Sequence, residues 1–129
     1  MGFFSKKEVI LPPSIKKIEE QKTLRIVRFQ GPIDYTTLGE IGQFVEKLRS
    51  QKDYEFKNIL LDFMDVTHID SSTAAEVIQI IFDIKKSHHK LGIVNLSQEF
   101  RSIFEILKID KIIHFYEIEA EATTVLEMT

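Results

Sequence analysis

The amino-acid sequence predicts an α/β fold: one domain with a small mixed, mostly parallel sheet of four to five strands and four helices packed mainly on one face. Three observations carry this. Short, nearly all-apolar runs such as Ile59-Leu60-Leu61 and Leu91-Gly92-Ile93-Val94 have the character of strands buried on both sides. Between them lie longer segments whose apolar residues recur at the spacing of a helix with one buried face. Alternation of the two requires right-handed crossovers, which lay successive strands parallel.

Residues 1–14 lack periodicity and contain Pro12-Pro13, which disfavours helix and biases Leu11 toward an extended conformation; they read as an N-terminal extension to a domain over 15–129. Ile15 to Glu20 and Thr23 to Phe29 form an edge hairpin, because Leu24 and Ile26 alternate with charged residues and a polar turn separates the two runs. Gly31-Pro32 is expected to break the second strand. Asp34 caps a helix running to about Ser50, with Leu38, Ile41, Phe44 and Leu48 at helical spacing, and Thr37 and Glu40 stand at capping-box separation.

After the charged connection Gln51 to Lys57, Asn58 to Phe63 makes a central strand, and a polar turn leads to a helix from about Ser72 to Lys86. Glu76, Gln79, Asp83 and Lys86 form one narrow polar stripe on that helix. Val77 and Ile80 flank the stripe, so they are the apolar residues expected at the surface. Leu91 to Asn95 is another buried strand, and Ser97 caps a third helix with Phe100, Ile103, Phe104 and Leu107 at i, i+3, i+4 and i+7. Ile112 to Phe115 is the last strand; Ile118, Ala122 and Val125 mark a C-terminal helix whose early glutamates complement the helix dipole.

Composition narrows the function. Of 129 residues, 43% are hydrophobic and 29% charged, as in an ordinary globular domain, and the net charge of −3 with scattered Lys and Arg gives no electrostatic footprint for nucleic acid. The chain has no cysteine, which removes disulfides, thiolate metal sites and thiol nucleophiles. No apolar run approaches the ~20 residues of a membrane span. Met1 to Lys7 matches neither a secretory signal nor a myristoylation signal, so a cytoplasmic protein without membrane insertion is expected. His68, His88, His89 and His114 lack metal-site spacing, and no Gly-rich phosphate loop is present. The expectation is no catalytic activity, no cofactor and no metal.

The hinge Asp70-Ser71-Ser72-Thr73 is the candidate site. Strand, polar turn and helix in that order place two hydroxyls at a helix N-terminus, where unpaired N–H groups and the dipole favour an anion. On residue chemistry alone, Asp70, Ser71 or Ser72 serves equally well as a plain N-cap.

Four stretches resemble a known family, the STAS domain of bacterial anti-sigma factor antagonists and of sulfate-transporter-like proteins. They are Gly31-Pro32-Ile33-Asp34; Asn58 to Asp70, ending in Asp-Ser; Asn95-Leu96-Ser97; and Phe104-Glu105 with Lys111-Ile112-Ile113. The chain departs from the pattern at Thr73 and Lys108, where the family commonly has glycine, and at Ala74-Ala75. The resemblance implies an anti-sigma factor antagonist: a phosphorylation-switched module that binds an anti-sigma factor with serine-kinase activity while Ser71 is unphosphorylated. Ser71 is the implied phosphorylation site, with Ser72 second, and a phosphatase is a further partner. Asp34, Asp70, Ser72, Thr73, Glu76, Val77 and Ile80 are the expected partner contacts. The other member role that the resemblance offers is a scaffold or accessory subunit of a stress-signalling or transporter complex without a phosphoswitch.

Overall fold

The computed structural model describes residues 10–50 and 56–128, so the connection at 51–55, most of the N-terminal extension and the last residue lie outside the described residues. The expected hairpin is present. Strand β1 (Ile15–Glu20) pairs antiparallel with β2 (Leu24–Ile33), which pairs parallel with β3 (Asn58–Ile69). Strands β4 (Leu91–Val94) and β5 (His114–Tyr116) extend the parallel part, so the order across the sheet is the order in the chain. Helices α1 (Tyr35–Arg49), α2 (Ala74–Lys86), α3 (Gln98–Ile106) and α4 (Glu119–Glu127) fill the connections and the C-terminus.

Side-chain alternation divides the strands between two faces. Val27, Phe29, Ile59, Leu61, Phe63 and Ile93 point to one face, where α1, α2 and α3 close the main core with Ile41, Ile81 and Phe104. Leu24, Ile26, Leu60 and Val94 point to the other, where Ala122 and Leu126 of α4 cover them in a smaller core. Gly92 lies beneath α4: a Cβ there would sit 2.9 Å from the Tyr116 ring, so only glycine allows that approach.

The structure moves several boundaries. Strand β2 does not stop at Gly31-Pro32; it runs to Ile33 with a register shift between those two residues, and Gly31 takes a φ of 74°. A parallel ladder uses only alternate N–H groups on each side, which leaves room for one proline at an irregular step. Strand β3 is twelve residues long rather than ending at Phe63, because Asp65 to Ile69 stay paired with the far end of β2. The capping box of α1 is Asp34 with Thr37, not Thr37 with Glu40. Ile112 and Ile113 precede the last strand: the chain makes a 3₁₀ turn over Ile109–Lys111, drives Ile113 into the core and starts β5 at His114.

Candidate functional site

Strands β2 and β3 end in register, Ile33 opposite Ile69, so the turns that follow them lie side by side. The Asp70 N–H donates to the Ile33 carbonyl at 3.0 Å and ties the two turns together. In the first turn Asp34 caps α1: its Oδ1 accepts from the Thr37 N–H at 3.1 Å, while its own N–H donates to Thr37 Oγ1 at 2.8 Å. In the second turn Asp70 does the same work on a tighter scale. Its Oδ1 accepts from the Ser72 N–H at 3.2 Å, and its carbonyl accepts from both the Thr73 N–H at 2.9 Å and the Thr73 hydroxyl at 2.6 Å. One 3₁₀ turn, Ser71–Thr73, therefore precedes α2.

Three consecutive hydroxyls meet two fates. Thr73 is fully buried, with its hydroxyl spent on the Asp70 carbonyl. Ser72 is exposed with its hydroxyl unbonded among the described residues, and its carbonyl accepts from the Tyr35 hydroxyl at 3.4 Å. Ser71, the first residue of the turn, is exposed as well, and its hydroxyl has no hydrogen-bond partner among the described residues either. Its carbonyl is fixed by the Ala74 N–H, so the residue is held in place while its Oγ is free.

The expected contact residues divide accordingly. Ser71, Ser72 and Glu76 are exposed and Asp34 and Asp70 half-buried, all at this end of the molecule. Two expectations are corrected. Val77 is only 3% exposed and belongs to the main core, and Thr73 is at 0%, so neither offers its side chain to a partner. The physical reason is that α2 packs on α1 as well as on the sheet, which widens its buried arc to take in Val77, Ile78, Ile81 and Ile84. Ile80 is half-buried beside α1, near Leu38 and Ile41. The surface beside Ser71 is polar rather than apolar.

The site is also negative. Asp34, Asp70 and Glu76 surround the turn, and none of them has an ion-pair partner among the described residues. Farther along β3, Asp65 binds Lys16 at 2.7 Å. Beyond Asp62, β3 has no partner on its β4 side, and a groove of about 290 Å³ opens there between Met64–Ile69 and the Asn95–Glu99 turn. Met64, at 65% exposed, lines it.

Sequence reasoning missed a charged set under α4 that stiffens this end. Arg28 of β2 donates to Glu19 at 2.5 Å, to Asp62 at 2.7 Å and, through both terminal nitrogens, to Glu119 at 2.7 and 2.8 Å. Burial pushes the Asp62 carboxyl up, but hydrogen bonds from Asn95, the Met64 N–H and Arg28 outweigh it and hold the group below the usual carboxylate value. The Arg28 hydrogen bond likewise lowers Glu19. The signal was legible as Asp62 interrupting the apolar run Ile59 to Phe63. Tyr35, 63% exposed beside the turn, was also passed over. No cluster of His, Asp and Glu suited to a metal ion occurs among the described residues. No helix there is long and apolar enough to cross a membrane.

Comparison with solved structures finds the same architecture at low identity. A candidate anti-sigma factor antagonist from Thermotoga maritima superposes with a TM-score of 0.68 at 19% identity, over 86% of this chain and 93% of that one. The anti-sigma factor antagonist SpoIIAA in its unphosphorylated form gives 0.62 at 17% identity over 86% and 96%, and the Bacillus SpoIIAA in its phosphorylated form gives 0.61 at 16% over 84% and 97%. At these identities the likeness establishes the fold. The family model of the STAS domain matches residues 16–122, most of the chain, and the protein belongs to the STAS domain family.

Proposed function

We propose that the protein is an anti-sigma factor antagonist, a phosphorylation-switched binding module of the cytoplasm. In its unphosphorylated form it docks the Asp34–Asp70 end of the sheet on an anti-sigma factor that is also a serine kinase; phosphorylation of Ser71 ends the contact, and a phosphatase restores it. One observation carries the reading. Of the three neighbouring hydroxyls, those of Ser71 and Ser72 are exposed and make no hydrogen bond among the described residues, and Ser71 differs in that the Tyr35 hydroxyl donates to the Ser72 carbonyl while the Ser71 carbonyl is held by the Ala74 N–H. A kinase needs a hydroxyl it can reach, and a switch needs one whose position is fixed.

The electrostatics support the direction of the switch. A phosphate adds about −1.5 to −2 charges at neutral pH. Here it arrives next to Asp70, whose turn is tied to that of Asp34, with no arginine or lysine paired to either carboxylate among the described residues to receive it. The added charge therefore stays on the contact surface and burdens it with desolvation and repulsion. Among the fold's neighbours, SpoIIAA exists in unphosphorylated and phosphorylated forms, which supports a role for the modification in this architecture.

The test is phosphorylation by the soluble kinases of the native cell with ATP, followed by site mapping. Label on Ser71 that disappears in Ser71→Ala, with loss of partner capture in Ser71→Asp, is the expected result. Label that persists in Ser71→Ala defeats the site. Stable co-purification with a transporter or large assembly, indifferent to Ser71→Asp, defeats the switch and favours a scaffold.

A further inference from the structure

Strand β3 outlasts its neighbour: β4 stops at Val94, opposite Asp62, while β3 continues to Ile69. The parting is built in. Asn95 takes a left-handed conformation at φ 63°, and its Nδ2 donates to Asp62 Oδ1 at 2.8 Å, which turns the chain off the strand at a fixed point. From there β3 has β2 on one side and the groove of about 290 Å³ on the other.

Hydrogen bonding to β2 decides which backbone groups face that groove, because successive residues of a strand send their N–H and C=O to opposite sides. The Asp70 N–H goes to the Ile33 carbonyl on β2, so the N–H and C=O of Ile69 point away from β2. Val66 stands opposite Gly31, where a parallel partner bonds either to Val66 itself, through the N–H of Pro32, or to its neighbours Asp65 and Thr67. Proline has no N–H. Asp65 and Thr67 therefore take the bonds from Gly31, and the N–H and C=O of Val66 also face the groove. Neither Val66 nor Ile69 has a strand beside it there, and neither bonds across a turn, among the described residues. Two donors and two acceptors on an open sheet edge are what an added extended backbone completes.

The side chains narrow the occupant. Met64 is exposed and Val66, Ile69 and Leu96 are half-buried along the groove, which suits apolar side chains at alternate positions of a strand. Glu99 lines it and Asp70 follows its last β3 residue; neither has an ion-pair partner among the described residues, and no lysine or arginine lines the groove. We propose that this groove binds an extended segment of a partner polypeptide, which adds to β3 as a strand and carries lysine or arginine between apolar residues. An acidic segment would bring like charge to Glu99 and Asp70. The site depends on where β4 ends and not on the state of Ser71.

Selection of displayed random peptides against the full chain supplies the probe, and the selected sequences are then synthesised and titrated by amide NMR. The expected sequences carry lysine or arginine alternating with apolar residues, and the bound peptide shifts the Val66 and Ile69 amides and slows their hydrogen exchange at least about tenfold. Val66→Pro removes one donor from the groove side alone and weakens binding at least about tenfold. Glu99→Lys reverses a charge and leaves the backbone untouched, so it guards against a proline variant that folds poorly; it weakens the same peptide by about the same factor. A selection that yields no binder, or only acidic or uncharged sequences, overturns the proposal. Binding that leaves the Val66 and Ile69 amides unchanged does so too, as does affinity indifferent to Glu99→Lys.

Discussion

The two ends of the parallel sheet handle polar groups in opposite ways. Where β2 and β3 begin, polar side chains are buried and bonded: Arg25, 1% exposed, donates to Glu20 at 2.6 Å and to the His88 ring at 2.9 Å, and Asn58 bridges the Leu126 carbonyl at 2.6 Å and the Lys90 N–H at 3.0 Å. Where the same strands end, Asp34, Asp70, Ser71 and Ser72 meet water at the tips of short turns. A buried polar set is costly to disturb because each lost partner leaves a desolvated group behind. An exposed one exchanges partners with water at little cost. The lesson is a division of labour: the beginning of the sheet holds the fold, so its end is free to change charge.

Removing Arg25 is the most severe way to test that division. Arg25→Ala withdraws the donor to His88 and one of the two cations on Glu20, and leaves a void in a dry site. A loss of about 3–5 kcal/mol is expected in urea unfolding. A loss below about 1 kcal/mol would remove the basis of the comparison.

His88 gives the same end a pH signature. Its Nε2 accepts from Arg25 and its Nδ1–H donates to the Ile84 carbonyl at 2.7 Å, an arrangement that only the neutral ring can make. Burial, against the Ile84 bond and with Arg25 adding to it, pushes the ring down to about 4. The unfolded chain, with its ordinary value near 6.5, therefore takes up a proton that the folded chain refuses. The stabilisation is complete above about pH 6.5 and is lost as pH falls toward 4, amounting to about 2 kcal/mol by pH 5. Denaturant titrations at pH 7 and pH 5 measure it, and His88→Gln should flatten the difference.

The fold was legible in the sequence because its signals are local and repeated: apolar runs for β3 and β4, helical spacing in α1 and α3, and capping residues at Asp34 and Ser97, which accept from Thr37 and Phe100 as expected. Signals that depend on distant partners were not legible. Nothing near Val77 announces that α1 will cover it, and the continuation of β3 through Asp65 to Ile69 rests on pairing with β2 rather than on its own polar composition. The order of strand, turn and helix pointed to the hinge with its two hydroxyls, and the family resemblance singled out Ser71. That the Thr73 hydroxyl is spent on the Asp70 carbonyl while Ser71 and Ser72 stay exposed required coordinates, because hydrogen bonding across the turn decides it.

Lys108 offers a smaller, opposite effect. It closes α3 in the left-handed conformation, which costs an L side chain about 1–2 kcal/mol that glycine avoids, while glycine gives back about 0.4–1 kcal/mol through its freer unfolded chain. Lys108→Gly should therefore stabilise the domain by about 0.5 kcal/mol. A destabilisation would show that the lysine side chain contributes more than its backbone costs.

Ser71→Asp is expected to have the smallest effect on the fold and is the sharpest probe of the contrast. The new carboxylate lies in the first turn before α2, where the helix dipole favours it by a few tenths of a kcal/mol, and beside Asp34 and Asp70, which oppose it by a similar amount. The hydroxyl it replaces has no bond among the described residues to lose. Unfolding free energy should thus stay within about 0.5 kcal/mol of the parent, while partner binding measured by calorimetry falls by at least about tenfold, the cost of one added charge in a contact. Binding lost together with stability would mean that Ser71 is a structural cap, and that the end of the sheet is no freer to change than its beginning.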